Sequence, residues 1–339
     1  MPLELDAPRT FYTGCKAAAV GMLGGAPAAG ASMAHVAVGS RDDAGANGLA
    51  VWAAPLSAEA APAARVAAAS YDGDVEDLRT VDDVVLSASS SGAVHVHRFS
   101  AEHAALDAVH VHERVHVGAA ACIDVQRPGA GDAAIVTGGD DGGAAVLSAE
   151  TGVVQRFPRA DSSAVSAVRW VSPFTFLTLT TAGQLKMWDL RQGSAQPSWT
   201  TKRLADGASL LHCMDIHPTQ THIVATGCSA GVVTLWDARS SVIASKVHAH
   251  DSDIWRVRFH PTRPNNLVTT GDDGLVLWWN FASKGTSFAA SEDSLVLQTI
   301  AKSAMPVTAL DIVPTAAATY VVAGSDAESV TVSRVTSST

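Results

Sequence analysis

A short sequence motif recurs at intervals of a little over forty residues. This repeat constrains the fold of the chain more than any other feature. Trp188-Asp189 and Trp236-Asp237 each end a run of alternating apolar residues that starts after a turn glycine, and an arginine follows two positions later. A third run of this kind ends at Trp279. The spacing of the tryptophans is close to the roughly 40–45 residues of a four-stranded repeat. These repeated motifs therefore predict a series of small sheets, each with the same turn before its third strand.

Degenerate copies of the word extend the series in both directions. Turn glycines followed by alternating residues put Leu147 and His97 in the tryptophan position, and an equivalent run near the C-terminus puts Ser333 there. The seven anchors are Trp52, His97, Leu147, Trp188, Trp236, Trp279 and Ser333. Seven units fill the chain with little left over. We therefore predict an all-β, seven-bladed WD40 β-propeller that forms a single domain over residues 1–339.

A propeller must also close its ring. Residues 9–13 precede the first unit and are aromatic and β-prone, so we expect them to add a strand to the last blade and remove its open edge. Alanine-rich stretches at 26–34 and 58–69, and a Ser/Ala-rich insertion at 282–294, are interpreted as loops.

In the sixth unit, four residues occupy the positions at which WD repeats form a hydrogen-bonded chain between turn and strand. They are His250, Thr269, Asp273 and Trp279. A buried indole N–H needs such a partner. Ala182, Ala230 and Ala327 replace the aspartate in other units, so we expect those blades to rely on packing.

Composition argues against several classes of function. The net charge is −10, and no cluster of Lys or Arg exceeds a pair, so direct nucleic-acid binding is not expected. No stretch approaches the roughly 20 apolar residues of a membrane helix, and Glu4 and Asp6 stand where a signal peptide needs basic residues. Four scattered cysteines without a CxxC pair indicate a reduced intracellular compartment.

Two residue groups resemble reactive sites. The histidines are His95, His97, His103, His110, His112 and His116. Without a cysteine or carboxylate at zinc-like spacing, we interpret them as residues of an exposed blade edge. The aspartate pairs are 42–43, 82–83, 140–141 and 272–273, and we place all four in the turn before a third strand. We predict no catalytic, metal or cofactor site and no small-molecule ligand.

Arginine and tryptophan positions are the candidates for partner binding. Arg191 and Arg239 follow the Trp-Asp pairs, a pattern that resembles the motif by which some WD-repeat receptors dock onto the adaptor of a cullin ubiquitin ligase. Alternatively, each arginine pairs with a carboxylate of the neighbouring blade. Trp255 begins an innermost strand at the rim, with Arg256 and Arg258 beside it. An exposed tryptophan there would anchor a partner, and the alternative is a side chain packed under a loop.

The sequence between the anchors is similar to one family. The matching segments are residues 160–163, 183–192, 211–213 with 217–218, 224–227, 254–261 and 324–328. They resemble the 43-kilodalton WD-repeat nucleoporins of the Y-shaped outer-ring complex of the nuclear pore. The likeness is close over about 160–280 and 308–334 and faint before about 150.

This resemblance implies a non-enzymatic scaffold subunit that binds other nucleoporins, chiefly a large α-solenoid subunit of the short arm. It also implies a location at the nuclear pore, and at the kinetochore in mitosis, with no cofactor. The rival function is that of a ubiquitin-ligase substrate receptor.

Overall fold

The structure is a computed structural model of the chain. It describes residues 3–25, 27–28, 31–41, 47–70, 73–126, 133–158, 160–192, 196–201, 209–240, 242–281 and 295–337. Seven antiparallel sheets succeed one another along this sequence, and each is a blade of a β-propeller.

The strands follow the chain order within each blade. Blade 1 contains β3 (Ala17–Met22), β4 (Met33–Ser40), β5 (Gly48–Pro55) and β6 (Ala64–Ser70); blade 2 contains β7 (Val75–Val81), β8 (Val84–Ser89), β9 (Val94–Ser100) and β10 (Ala105–His112). Blade 3 contains β11 (Ala120–Gln126), β12 (Ala134–Gly139), β13 (Ala144–Ser148) and β14 (Gly152–Phe157); blade 4 contains β15 (Val165–Ser172), β16 (Thr175–Thr180), β17 (Leu185–Asp189) and β18 (Trp199–Thr200). Blade 5 contains β19 (Leu211–Ile216), β20 (Ile223–Cys228), β21 (Val232–Asp237) and β22 (Val242–His248); blade 6 contains β23 (Ile254–Phe259), β24 (Asn266–Gly271), β25 (Leu275–Phe281) and β26 (Leu295–Lys302). Blade 7 contains β27 (Val307–Pro314), β28 (Thr319–Ser325) and β29 (Ser329–Ser337), with β1 (Leu3–Leu5) and β2 (Arg9–Tyr12) paired to β29.

The predicted fold is confirmed blade by blade. Each of the seven anchors lies in the third strand of its own sheet. The first strand of every blade contacts the first strand of the next, and β27 contacts β3, so the seven inner strands form a closed ring around a central channel. The predicted closing strand is also present as β2, where Phe11 is buried and its ring centroid lies 5.6 Å from that of Trp52.

Burial is more complete in the second strands of blades 5 and 6 than in their innermost strands or in the outermost strand of blade 5. Every residue of the second strands β20 and β24 is buried, because neighbouring blades cover both faces. The outermost strand β22 alternates between exposed and half-buried residues instead. Among the described residues, the apolar core consists of seven clusters, and each spans the junction of two adjacent blades.

One predicted loop is partly a strand, and another lies outside the described residues. The interpretation of 58–69 as a loop was wrong for its second half, because Ala64–Ser70 is the outermost strand of blade 1. Alanine suffices there, since one face of an outer strand meets solvent and little area has to be buried. The insertion at 282–294 lies outside the described residues. Within the described ranges, the only helical element is a 3-10 turn at Leu190–Gln192. No helix in these ranges is long and apolar enough to cross a membrane.

The ring has an upper end and a lower end, which differ in the turns they carry. The upper end carries the turns between second and third strands, and the lower end carries those between first and second and between third and fourth strands.

Candidate functional site

The four residues predicted to tie turn to strand in blade 6 form one hydrogen-bonded chain. His250 Nδ1 lies 3.0 Å from the Asp273 carboxylate, and its Nε2 lies 2.8 Å from Thr269 Oγ1. The Trp279 indole donates to the same hydroxyl at 2.9 Å. The chain anchors the upper turn of blade 6 to the middle of its sheet.

Blades 4 and 5 retain only the tryptophan–threonine part of this hydrogen-bonded series. Although alanine replaces the turn aspartate, the Trp188 and Trp236 indoles donate to Thr178 Oγ1 at 3.1 Å and Thr226 Oγ1 at 2.9 Å. The expectation that these blades depend on packing alone was therefore wrong. The threonine was the missed signal, since it stands ten residues before each tryptophan.

The channel is lined by a ring of alternating charge. The fifth residues of the seven inner strands, in blade order, are Gly21, Arg79, Asp124, Arg169, Asp215, Arg258 and Asp311. Arg79 Nε lies 3.4 Å from Asp124, and Arg169 Nε lies 3.0 Å from Asp215. Seven positions cannot alternate two signs without a break, and Gly21 is that break.

The carboxylates of this ring also join blades through the backbone. Asp124 accepts the amide of Trp170 at 2.9 Å, Asp215 that of Phe259 at 2.7 Å, and Asp311 that of Met22 at 3.0 Å. Each acceptor lies on one inner strand and each donor on the inner strand of the next blade. Since a buried amide without an acceptor is costly, these bonds fix the register between neighbouring blades.

Arg258 is the least neutralised cation of the ring. Its Nη1 lies 4.0 Å from Asp215, which is already bonded to Arg169 and to an amide. Its Nε is buried and has no hydrogen-bond partner. Burial, together with repulsion from Arg79 and Arg169, lowers the pKa of Arg258 to about 9. The ring therefore contains one arginine whose charge is only weakly compensated.

Above the charged ring, every inner strand begins with a β-bulge. The pairing register shifts between the first and third residues of all seven strands. The seven bulged residues are Ala18, Glu76, Ala121, Ser166, His212, Trp255 and Thr308. Bulges re-aim a side chain out of the regular pleat. Only three of these side chains are large, and they lie in blades 2, 5 and 6.

Trp255 is half-buried at this upper mouth of the channel. It is therefore neither the fully exposed anchor nor the fully packed side chain that the two interpretations expected. Its indole N–H donates to Asp272 at 3.1 Å, and the His212 ring lies against it at a centroid distance of 4.8 Å. His212 Nε2 in turn lies 3.0 Å from Asp253. The tryptophan is therefore held in a fixed orientation at the rim.

The structure separates Arg256 and Arg258 from Trp255. Arg256 Nη2 lies 3.9 Å from Asp77 and donates to the Glu76 carbonyl at 3.5 Å. Glu76 and Asp77 belong to blade 2, on the far side of the channel from blade 6, so the Arg256 side chain spans the channel. A binding surface at the rim can consequently include Trp255 but not the charged ends of both arginines.

Arg191 and Arg239 lie at the lower end and are about two-thirds exposed, at 65% and 67%. Neither pairs with a neighbouring blade in the way one interpretation expected. Arg191 binds Asp189 of its own motif at 2.7 Å, and Arg239 binds Asp237 at 3.1 Å. The short Trp-Asp-x-Arg spacing favours this local clamp, because the turn brings the arginine back over the preceding carboxylate.

The exposed edge expected of the histidines is present only in part, because His103 and His110 are exposed at the outer edge of blade 2, whereas the other four are buried. His95 and His97 are buried in the third strand of blade 2, and burial lowers the pKa of His95 to about 4. His116 binds Asp141 at 3.1 Å, as His250 binds its aspartate in blade 6. No group of three His, Cys, Asp or Glu side chains among the described residues has a geometry that could hold a metal ion.

Two of the four aspartate pairs occupy the predicted turns. The pairs at 140–141 and 272–273 precede third strands. The placement of 82–83 was wrong, because this pair joins the first and second strands of blade 2 at the lower end. Asp82 has a φ of 52°, a conformation that aspartate tolerates in turns. The pair at 42–43 lies outside the described residues.

A β-propeller family described as "Nucleolar protein 10-like, N-terminal domain" matches residues 117–323. The chain belongs to this β-propeller family.

The relatives confirm the resemblance to WD-repeat nucleoporins. Nucleoporin Nup43 of Homo sapiens is 34% identical over 219 residues, which cover 62% of this chain and 57% of that protein. Nuclear pore complex protein NUP43 of Arabidopsis thaliana is 28% identical over 221 residues, covering 57% and 60%. Nuclear pore complex protein nup43 of Dictyostelium discoideum is 29% identical over 149 residues, covering 43% and 35%. The chain thus spans less than two thirds of the length of these relatives.

Proposed function

We propose that this chain is a non-enzymatic structural subunit of the nuclear pore complex. The observation that carries the proposal is its similarity to proteins named as Nup43 in an animal, a plant and an amoeba. Fold alone would not support it, because propellers serve many functions. A ring whose blades are joined by backbone bonds and buried ion pairs suits a subunit that must hold its shape in a large assembly.

The finer proposal concerns the partner and the location. We propose that the whole chain acts as one propeller domain at the nuclear pore, attached to a large α-solenoid nucleoporin of the short arm of the Y-shaped complex. The fixed, half-exposed Trp255 supports a protein-binding role for the upper end, since aromatic anchors dominate protein interfaces.

A second candidate is supported by Arg191 and Arg239. Both are exposed at the same end of adjacent blades, as a ubiquitin-ligase receptor would need. Each is nevertheless clamped by its own aspartate, and that bond would have to be exchanged for one to the adaptor.

Affinity purification of the tagged full-length chain from its own cells separates the two functions. Recovery of other nucleoporins, including an α-solenoid subunit, is expected. Recovery of a cullin and its adaptor without nucleoporins would overturn the proposal. Arg191→Ala and Arg239→Ala together serve as the matched variant, because they should leave nucleoporin recovery unchanged and abolish recovery of a ligase.

A further inference from the structure

The junction of blade 7 with blade 1, where the ring closes, contains a cavity of about 510 Å³ at its lower end. Its volume lies within the range of about 300–1,000 Å³ that is usual for ligand-binding cavities. This cavity, the closure cleft, is lined by Asp6, Ala7, Arg9, Tyr320, Val332 and Arg334 from blade 7 and by residues 31–32 and 56–58 from blade 1.

The closure cleft lies where the outermost strand of blade 7 is interrupted. β1 pairs with β29 as far as Leu5, and β2 resumes the pairing at Arg9. Residues 6–8 lie outside both ladders, and Asp6 and Ala7 of this interruption line the cleft. The inner wall is apolar, because the buried side chains of Leu56 and Val332 face it.

Two arginines of blade 7 share this cleft. Arg9 lies opposite Val332 in the register of β2 and β29, and Arg334 follows Val332 by two positions. Residues that lie opposite each other, or two positions apart on a strand, share one face of the sheet. Diagonal neighbours of this kind have Cβ atoms roughly 7 Å apart, so one carboxylate can contact both guanidinium groups.

The positive charge of the cleft is only partly compensated. Arg334 Nη1 lies 2.8 Å from the Asp6 carboxylate, in a pair that is 35% and 56% exposed. Arg9 is half-buried, and its side chain makes no hydrogen bond or ion pair with any residue of the described ranges. Among those residues Asp6 is the only carboxylate in the lining, while Glu4 and Glu59 are exposed and do not line the cleft. The cleft therefore has a positive charge in excess, in a chain whose net charge is −10.

From this geometry we propose that the closure cleft binds an acidic segment of a partner protein. A glutamate or aspartate of that segment accepts hydrogen bonds from Arg9 and Arg334, and an apolar neighbour packs against Leu56 and Val332. Arginine suits this role because its planar fork of donors matches a carboxylate. A half-buried guanidinium without a partner is also unfavourable, so the incoming carboxylate stabilises a group that the described part of the chain leaves unpaired.

The same charges disfavour a nucleic acid. Its affinity comes from many phosphates that are neutralised together by clustered cations. The closure cleft offers only two arginines, and one of them is already paired with Asp6. A short acidic peptide segment places one carboxylate in the cleft without bringing a continuous polyanion against an acidic protein.

This inference rests on the proposed function as a subunit that binds other proteins, and it specifies the chemistry of one partner segment. It does not depend on which complex contains the chain. Direct binding to the purified full-length chain therefore tests it separately from any purification from cells.

The probe is a short fluorescent peptide in which glutamates alternate with leucine and serine residues, and the comparison peptide has glutamine in place of every glutamate. Fluorescence anisotropy at low salt should show binding of the glutamate peptide and little or none of the glutamine peptide. The affinity should fall as salt is added, because part of the cleft is exposed. Equal binding of the two peptides would overturn the inference, as would tighter binding of a single-stranded oligonucleotide than of the glutamate peptide.

Arg9→Gln should weaken binding of the glutamate peptide roughly three- to tenfold, since it removes a half-buried donor to the carboxylate. The matched control is Arg98→Gln, which removes one positive charge from blade 2, where Arg98 is 61% exposed and lies 3.6 Å from Asp83. Its affinity should equal that of the wild type. Equal losses for the two variants would overturn the inference, because binding would then follow net charge alone.

Asp6→Asn gives a result that misfolding cannot imitate. It conserves the shape of a side chain that is 56% exposed, removes the competing carboxylate from Arg334 and should strengthen binding about two- to fivefold. Ala58→Phe should weaken binding without any change of charge, because Ala58 lines the cleft and a ring there occupies its volume. Unchanged or weaker binding by Asp6→Asn, or unchanged binding by Ala58→Phe, would show that the peptide binds elsewhere.

The outcome for the proposed function is read independently. If the peptide results hold but nucleoporins are not recovered from cells, the closure cleft remains an acidic-segment site and the pore assignment fails. If nucleoporins are recovered but the two peptides do not differ, the pore assignment stands and the closure cleft is not the site of an acidic segment.

Discussion

Replacing Asp215 with alanine should destabilise the ring more than any other single change in the channel. Asp215 accepts the Phe259 amide at 2.7 Å, binds Arg169 at 3.0 Å and lies 4.0 Å from Arg258. Its side chain is only 14% exposed, so water compensates little. Removing one partner of a buried ion pair costs about 3–5 kcal/mol, because the remaining charge stays buried. In this variant both Arg169 and Arg258 would lose the Asp215 carboxylate.

The contrasting variant is Arg258→Met. Arg258 is buried, repelled by two arginines and 4.0 Å from its nearest carboxylate. Replacing such a charge with an apolar side chain of similar length is often neutral or stabilising, so we expect a change within about 1 kcal/mol. The exposed control is Asp83→Ala, whose partner Arg98 lies 3.6 Å away, with a cost of at most about 1 kcal/mol.

Chemical denaturation followed by tryptophan fluorescence measures the free energy of unfolding of all three variants. The reasoning is refuted if Asp215→Ala loses no more stability than Asp83→Ala. It is also refuted if Arg258→Met is as damaging as Asp215→Ala, since the ring would then not distinguish satisfied from unsatisfied charges.

Three further predictions concern the blades, the histidines and the closing strand. Thr269→Val removes the shared partner of an indole and a histidine and should cost about 1–3 kcal/mol in thermal or chemical unfolding, more than Thr226→Val, where an indole alone loses its acceptor. Burial lowers the pKa of His95 and His260 to about 4, below the roughly 6.5 of a histidine in the unfolded chain. Between these two pH values the unfolded chain binds more protons than the folded chain, so acid favours unfolding. Stability should be complete above about pH 6.5 and fall by about 1.4 kcal/mol per pH unit per histidine towards pH 4, and a melting temperature that is constant between about pH 7 and 5 would contradict this. Deleting residues 1–12 exposes the edge of β29 and should cause concentration-dependent aggregation in light scattering, whereas an unchanged monomer would show that the closing strand is dispensable.

The repeat period was sufficient to predict the fold. Anchors without tryptophan, such as His97, Leu147 and Ser333, could be placed because the turn glycine or acidic turn and the alternating strand recur in register even where the indole is absent. The closing strand was predictable for a physical reason as well, since a ring of sheets with an open edge is an aggregation hazard.

The channel was harder to predict, although its signal was in the sequence. Aligning the inner strands shows arginine and aspartate in alternation from Arg79 to Asp311, but the partner of each residue lies on another blade, about 45 residues away in the repeat. Trp255 shows the same limit. Its exposure depends on a bulge and on contacts to His212 and Asp272, which no local pattern specifies. Arg256 reads as a neighbour of Trp255 in sequence, yet its side chain crosses the channel.

Location in the cell tests the central claim most directly. The full-length chain, tagged at its C-terminus and expressed from its own locus, should give a punctate fluorescent rim at the nuclear envelope that coincides with an independent pore marker. Signal spread through the nucleoplasm or cytoplasm, with no enrichment at pores, would contradict the assignment of this propeller to the nuclear pore.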